Sequence, residues 1–255
     1  KEARYSNLKH RPMGLGIMGF QDALDKLNLN FESSEAIEFA DSSMEIISYY
    51  AILTSSELAK ERGLYESYKG SKWHRGIFPI DTIDLLEEER GMKIEVSRTS
   101  RMNWNFVREH VKEFGMRNSN LMAIAPTATI GNISGAYPCI EPIYKNIYVK
   151  ANVTGEFTVV NHFLINDLKK LNIWNEETLD QLKYYDGNLQ LMGGIPDSLK
   201  EKYKETFDID PHVLIDIAAA RGKWIDQSQS LNIFIKGISG KKLHDTYVYA
   251  WQKGL

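Results

Sequence analysis

Thr127 and Thr129, separated by Ala128 and preceded by Pro126, set two hydroxyl side chains at the exit of a short apolar run, Leu121 to Ala125. That order of residues has the chemistry of a strand end opening onto a helix start. The first N–H groups of a helix lack internal partners and carry the positive end of its dipole, so a phosphate can be held there without a lysine. Each threonine can add a hydroxyl donor. The same pattern also suits a plain helix cap, in which Thr127 only accepts an N–H of the first turn. Pro126, Thr127, Ala128, Thr129 and Ile130 are thus the candidate anion-binding corner, with both readings open.

Other chemistry-bearing residues point elsewhere. Gly14, Gly16 and Gly19 spell a dinucleotide-like glycine pattern, but no buried strand precedes them and the downstream carboxylates Glu35 and Glu38 fall in a long helix. A tight turn where another segment approaches closely is the better reading. The histidines are scattered without an i, i+4 pair, so no metal site is expected. Asp22, Asp25 and Glu32 lie on and just beyond one amphipathic helix and read as a solvated face. Tyr247 and Tyr249 read as structural. Cys139, the single cysteine, has no cationic neighbour in sequence to lower its pKa and reads as a small packed residue. The polar runs 116–120 and 225–232 either face water or line a polar pocket.

These residues must be positioned by a helix-rich α/β framework. The spacing predicts helices at Phe20–Leu27, at Ser34–Arg62 with Ser34 as cap and Gly63 as terminator, at Ile80–Arg90, and at Trp104–Phe114 between Asn103 and Gly115. A hairpin is expected around Thr154-Gly155, then helices at Phe163–Leu171, Glu176–Tyr185, Asp197–Phe207, Pro211–Arg221 and Lys241–Lys253, with a buried strand at Leu231–Ile235. The first residues read as a polar lead-in. Isolated apolar strands among helices favour a parallel sheet or barrel, and too few are visible to close one.

At 255 residues and 43% apolar composition the chain can bury a sizeable core, and no linker divides it, so one domain over 1–255 is expected. A net charge of −3 gives no nucleic-acid footprint or polybasic membrane patch. One thiol excludes an internal disulfide and fits a reducing compartment; with no apolar stretch near ~20 residues, the cytoplasm is the expected location. Lys1 is not an initiating methionine, which suggests a piece of a longer polypeptide.

Six stretches occur in order along nearly the whole chain: Arg11–Phe20, Arg117-Asn118-Ser119-Asn120, Ala125–Ile130, Ile140-Glu141-Pro142, Asn152–Phe157 and Trp224–Asn232. Together they resemble the C-terminal part of the catalytic large subunit of class I ribonucleotide reductases. The resemblance implies the C-terminal half of that family's ten-stranded α/β barrel. It also implies reduction of ribonucleoside diphosphates to deoxyribonucleotides by radical chemistry, with Pro126 to Ile130 gripping the substrate phosphates. Further implications are a radical-generating, metal-containing small subunit, a thioredoxin- or glutaredoxin-type reductant, ATP and deoxynucleotide effectors, and a homodimer of the full large subunit. The family's three working cysteines have no counterpart here, so no catalytic residue is expected in this chain, which by itself should be silent. Alternatives are a non-catalytic nucleotide-binding or subunit-docking module, and a fragment of a cobalamin-dependent (class II) reductase.

Overall fold

Asn103 accepts the Phe106 N–H through its side chain, and Gly115, at φ 70°, closes the helix that follows; the helix Ser34–Arg62 is bounded in the same way, by Ser33 and Gly63. The computed structural model describes residues 1–237 and 239–255, and the side chains of all of these but Asn152. In chain order the helices are α1 (Glu2–His10), α2 (Phe20–Leu27), α3 (Ser34–Arg62), α4 (Thr82–Arg90), α5 (Trp104–Phe114) and α6 (Ala128–Ser134). The hairpin β1 (Ile147–Asn152) and β2 (Gly155–Val160) follows, then α7 (His162–Lys170), α8 (Glu176–Tyr184), α9 (Asp197–Lys202), α10 (Pro211–Gly222) and α11 (Gly240–Gln252).

Most expected elements are present, and the departures have local causes. The polar lead-in is a helix, α1, with no buried residue. Ser33, and not Ser34, caps α3, accepting the Ala36 N–H at 3.1 Å. The helix begun at Asp197 stops at Lys202, because Tyr203 and the segment after it turn inward to bond Asn146 and Ile143. The predicted strand 231–235 has no ladder partner among the described residues, and β pairing occurs just before it, at Gln229.

The antiparallel hairpin pairs Ile147 with Val160 and ends with Asn152 opposite Gly155. Separately, three short segments lie side by side in parallel, with bridges Leu15 to Met122 and Ile124 to Gln229. Backbone bonds run from Leu15 N to Leu121 O, from Ala123 N to Leu15 O at 3.0 Å, from Ile124 N to Ser228 O at 3.1 Å and from Ser230 N to Ile124 O at 2.8 Å. The segment 121–124 is therefore the middle of a parallel ladder flanked by 13–15 and 227–230. Its buried residues Met122 and Ile124 join a core that α2, α3, α5 and α10 close from one side.

That core is tied by buried polar groups. Glu45 accepts the N–H groups of Arg101 and Met102 and the indole N–H of Trp104 through one oxygen. Asp41 accepts the Trp224 indole N–H at 2.6 Å and pairs with Lys223 at 2.9 Å. Trp104 and Trp224 stack at 5.4 Å. A second hydrophobic cluster, between the hairpin base and α7 to α9, includes Ile147, Leu164, Leu168, Leu182 and Tyr203.

Candidate functional site: an anion corner at the end of a parallel ladder

The middle segment of the ladder delivers the chain to the candidate corner. Asp226 sets its register: its carboxylate accepts the N–H of Leu121 at 3.0 Å and of Met122 at 2.6 Å. The glycine-rich turn performs the expected close approach, since a Cβ on Gly16 would lie 2.3 Å from the Ala123 carbonyl oxygen. Gly19, at φ 76°, then opens α2, and its N–H donates to Tyr137 O at 2.8 Å.

Beyond Ala125 the backbone reverses at Thr127, which sits in the left-handed region at φ 50°, ψ 22° and leads into α6. Thr127 does not cap α6 with its side chain; its hydroxyl oxygen accepts the Cys139 N–H at 2.7 Å. Its carbonyl accepts the Gly131 N–H at 2.8 Å. Among the described residues no acceptor meets the N–H groups of Ala128, Thr129 or Ile130, which begin the helix and stand exposed. Thr129 also makes no hydrogen bond among the described residues and is exposed. The corner therefore offers three free amide donors and one free hydroxyl, and the Thr127 O–H proton is still available to donate. No lysine or arginine occurs between Arg117 and Lys145, and Lys150, from the hairpin, reaches α6 by donating to Asn132 at 2.9 Å.

Two groups lie behind the corner: Cys139, read from the sequence as a small packed residue, and Arg221, which sequence reasoning passed over. Cys139 is buried, adopts φ 55°, and burial raises its thiol pKa, which keeps it an inert packed residue. Arg221, on α10, is 1% exposed and lies over the Phe20 ring at 4.8 Å. Its Nε and Nη2 find no partner among the described residues, and burial pulls its pKa down to about 10. An arginine in an alanine-rich helix was the available signal for Arg221.

Of the polar runs, 116–120 is structural: Asn118 is buried, bonded to Ser55 at 2.9 Å and to Arg11 O at 2.9 Å. In 225–232, Asp226 anchors the ladder while Asn232 donates to Glu141, linking the fourth and sixth of the matched stretches. The expected solvated acidic face is not one. Asp25 is buried, the Asp22 carboxylate accepts the Tyr137 N–H at 2.6 Å, and Glu32 pairs with Lys204 at 2.6 Å. Tyr137 and the segment around Ile143 cover that face. Tyr249 donates to Asp216 at 2.9 Å, whereas Tyr247 is exposed. Among the described residues no group of three or more histidine, cysteine or acidic side chains could hold a metal ion, and no helix is long and apolar enough to cross a membrane.

A profile of the ribonucleotide reductase barrel domain matches residues 1–255. The chain belongs to this family. A ribonucleoside-diphosphate reductase alpha subunit of Chlamydia trachomatis is 55% identical over 256 residues, covering 100% of this chain and 24% of the relative. The large subunit of Dictyostelium discoideum is 42% identical, again over 100% of this chain and 28% of its own length. Among solved structures, the class Id ribonucleotide reductase alpha subunit of Actinobacillus ureae superposes with a TM-score of 0.73 at 26% identity, covering 99% of this chain and 38% of that one. The chain spans about a quarter of the length of the first curated relatives, by the 24% coverage of the chlamydial protein. The parallel ladder is accordingly a portion of a reductase barrel, and the class I resemblance, not the cobalamin-dependent alternative, is the one these relatives favour.

Proposed function

We propose that the chain is the barrel portion of a ribonucleoside-diphosphate reductase large subunit, an oxidoreductase making deoxyribonucleotides, and that its own contribution is to hold the substrate's phosphates at Pro126 to Ile130. One observation carries the reading: among the described residues the N–H groups of Ala128, Thr129 and Ile130 and the Thr129 hydroxyl have no partner, just beyond the central ladder segment. Peptide donors of this kind favour a phosphate through charge-assisted bonds. Residues 1–255 would act as one barrel-half domain, since Gln21 accepts the Ile143 N–H and Lys204 pairs with Glu32 across the two clusters.

The thiol chemistry of the reaction would come from elsewhere in the polypeptide, because one buried cysteine cannot form a disulfide. Partners in this reading are a radical-generating, metal-containing small subunit, a second large subunit, a thioredoxin- or glutaredoxin-type reductant, and ATP or deoxynucleotide effectors, in the cytoplasm. The test is calorimetry of the full-length large subunit with a nucleoside diphosphate and with the bare nucleoside. Binding that needs the phosphates and weakens in Thr129→Ala supports the assignment. Equal affinity for the nucleoside would remove it.

A docking role has its own support. Leu243, Tyr247 and Trp251 of α11 are exposed and, with Leu231 and Ile235, line a groove of about 820 Å³. A C-terminal peptide of the small subunit is the ligand to titrate against that face.

A further inference from the structure

A cavity of about 580 Å³ lies at the far end of α6 from the anion corner, between α2, the turn after α6 and the base of the hairpin. Its size is that of a small-molecule site. Tyr137, Tyr144, Tyr148 and Phe163 give it aromatic walls, and Asp22 and Asp25 lie on its α2 side.

The two carboxylates are incompletely used. Asp22 Oδ2 accepts the Tyr137 N–H at 2.6 Å and Asp25 Oδ1 accepts the Gln21 amide N–H at 3.0 Å. The second oxygen of each has no hydrogen-bond partner among the described residues, and neither side chain has an ion pair there. Asp25 is only 5% exposed and lines the cavity. The nearby cations, Lys145 on the cavity wall and Lys202 close enough to act on Asp25, are paired with other carboxylates. Lys145 pairs with Asp186 and Glu205, and Lys202 pairs with Asp167 at 2.7 Å and donates to Asn28 at 2.9 Å. Above about pH 7, where Asp25 is ionised, a buried carboxylate without a cation is an arrangement that a bound cation would complete.

We propose that this cavity binds a small planar cation carrying an amidinium or guanidinium group. Residues at i and i+3 on a helix are neighbours, so Asp22 and Asp25 present two acceptors side by side, and flat N–H donors match paired carboxylate oxygens better than a compact ammonium does. Aromatic faces attract the same cation and select a flat one. The site is separate from the phosphate corner and does not depend on it.

The experiment is calorimetry of the full-length large subunit at about pH 8, where Asp25 is ionised, with benzamidine, and with neutral benzamide as the control for shape. Benzamidine binds and benzamide binds about tenfold more weakly or not at all, since it lacks the charge. Asp25→Asn and, as a second variant on the partly exposed hairpin that leaves the core intact, Tyr148→Ala each weaken benzamidine about tenfold while the melting temperature of Tyr148→Ala is unchanged. Equal binding of benzamide, unchanged binding in both variants, or no benzamidine binding would overturn the proposal.

Discussion

The Thr127 hydroxyl accepts the backbone N–H of Cys139 at 2.7 Å, so the residue that opens the anion corner also pins the turn that follows α6. Thr127 and Thr129 are therefore not equivalent, although their spacing makes them look like a pair. One is built into the scaffold and the other is free.

This inequality predicts separable effects. Thr127→Ala strands the Cys139 N–H and lowers stability by about 1–3 kcal/mol, whereas Thr127→Ser, which keeps the acceptor, recovers most of it. Thr129→Ala, at an exposed residue without partners, stays within about 0.5 kcal/mol of wild type and raises the KM for a diphosphate substrate. Thermal unfolding and steady-state kinetics of the full-length protein read the two together; a Thr129→Ala variant with a large drop in Tm contradicts the assignment.

Gly16 and Gly14 differ as sharply. An alanine at Gly16 puts its methyl 2.3 Å from the Ala123 carbonyl, while at Gly14 the nearest atom, the Ala123 side chain, is 3.8 Å away. Gly16→Ala should cost about 1–3 kcal/mol by forcing the ladder apart, and Gly14→Ala should be nearly neutral. Denaturant midpoints of the two variants provide the comparison.

Asp25 gives the stability a pH slope. Burial lifts its pKa from 3.8 to about 7, against the Gln21 hydrogen bond and the Lys202 charge, which pull it down, and with Asp22 and Asp167, which add to the rise. The folded state thus holds a proton that the unfolded chain has already released between pH 3.8 and about 7. Stability from this group declines as pH rises through that window, by up to about 1.4 kcal/mol per pH unit, and the loss is complete above it. Asp25→Asn, which keeps an acceptor for Gln21 and has no charge to bury, should raise Tm at pH 8 and leave it little changed at pH 4. A variant equally shifted at both values would show that the carboxylate's titration is not the cause.

The Lys223–Asp41 pair behaves differently, being 1% and 8% exposed in its side chains. Asp41→Ala leaves Lys223 a buried charge and should cost about 3–5 kcal/mol, whereas Lys223→Met leaves Asp41 its Arg101 partner at 3.3 Å and should cost less. Asp41→Ala also strands the Trp224 indole N–H, bonded at 2.6 Å, and should be the worse of the two by urea unfolding.

Sequence made α5 and α10 legible because their caps are local: Asn103, Gly115 and Asp210 each act within four residues. The ladder was harder. Its segments are short and rich in glycine, alanine and serine, so no period marks them, and only Leu121 to Ala125 stood out. The corner was readable as a corner, but the Thr127–Cys139 bond spans twelve residues and needs two non-glycine residues at positive φ, which no local pattern announces. Asp22 and Asp25 misled for the same reason. Their helix is amphipathic, but what covers its polar face is Tyr137 and the segment around Ile143, more than a hundred residues on.

The outer edges of the three-segment ladder have one more consequence. Among the described residues the Gly14 and Gly16 N–H groups have no backbone acceptor, so one side of the sheet ends in bare peptide groups next to the exposed side chains of Met13 and Leu15. An edge of that kind is a template for another strand. Expressed by itself, the chain should be prone to self-association through this border, and a lysine placed at Leu15 would be the simplest way to blunt it.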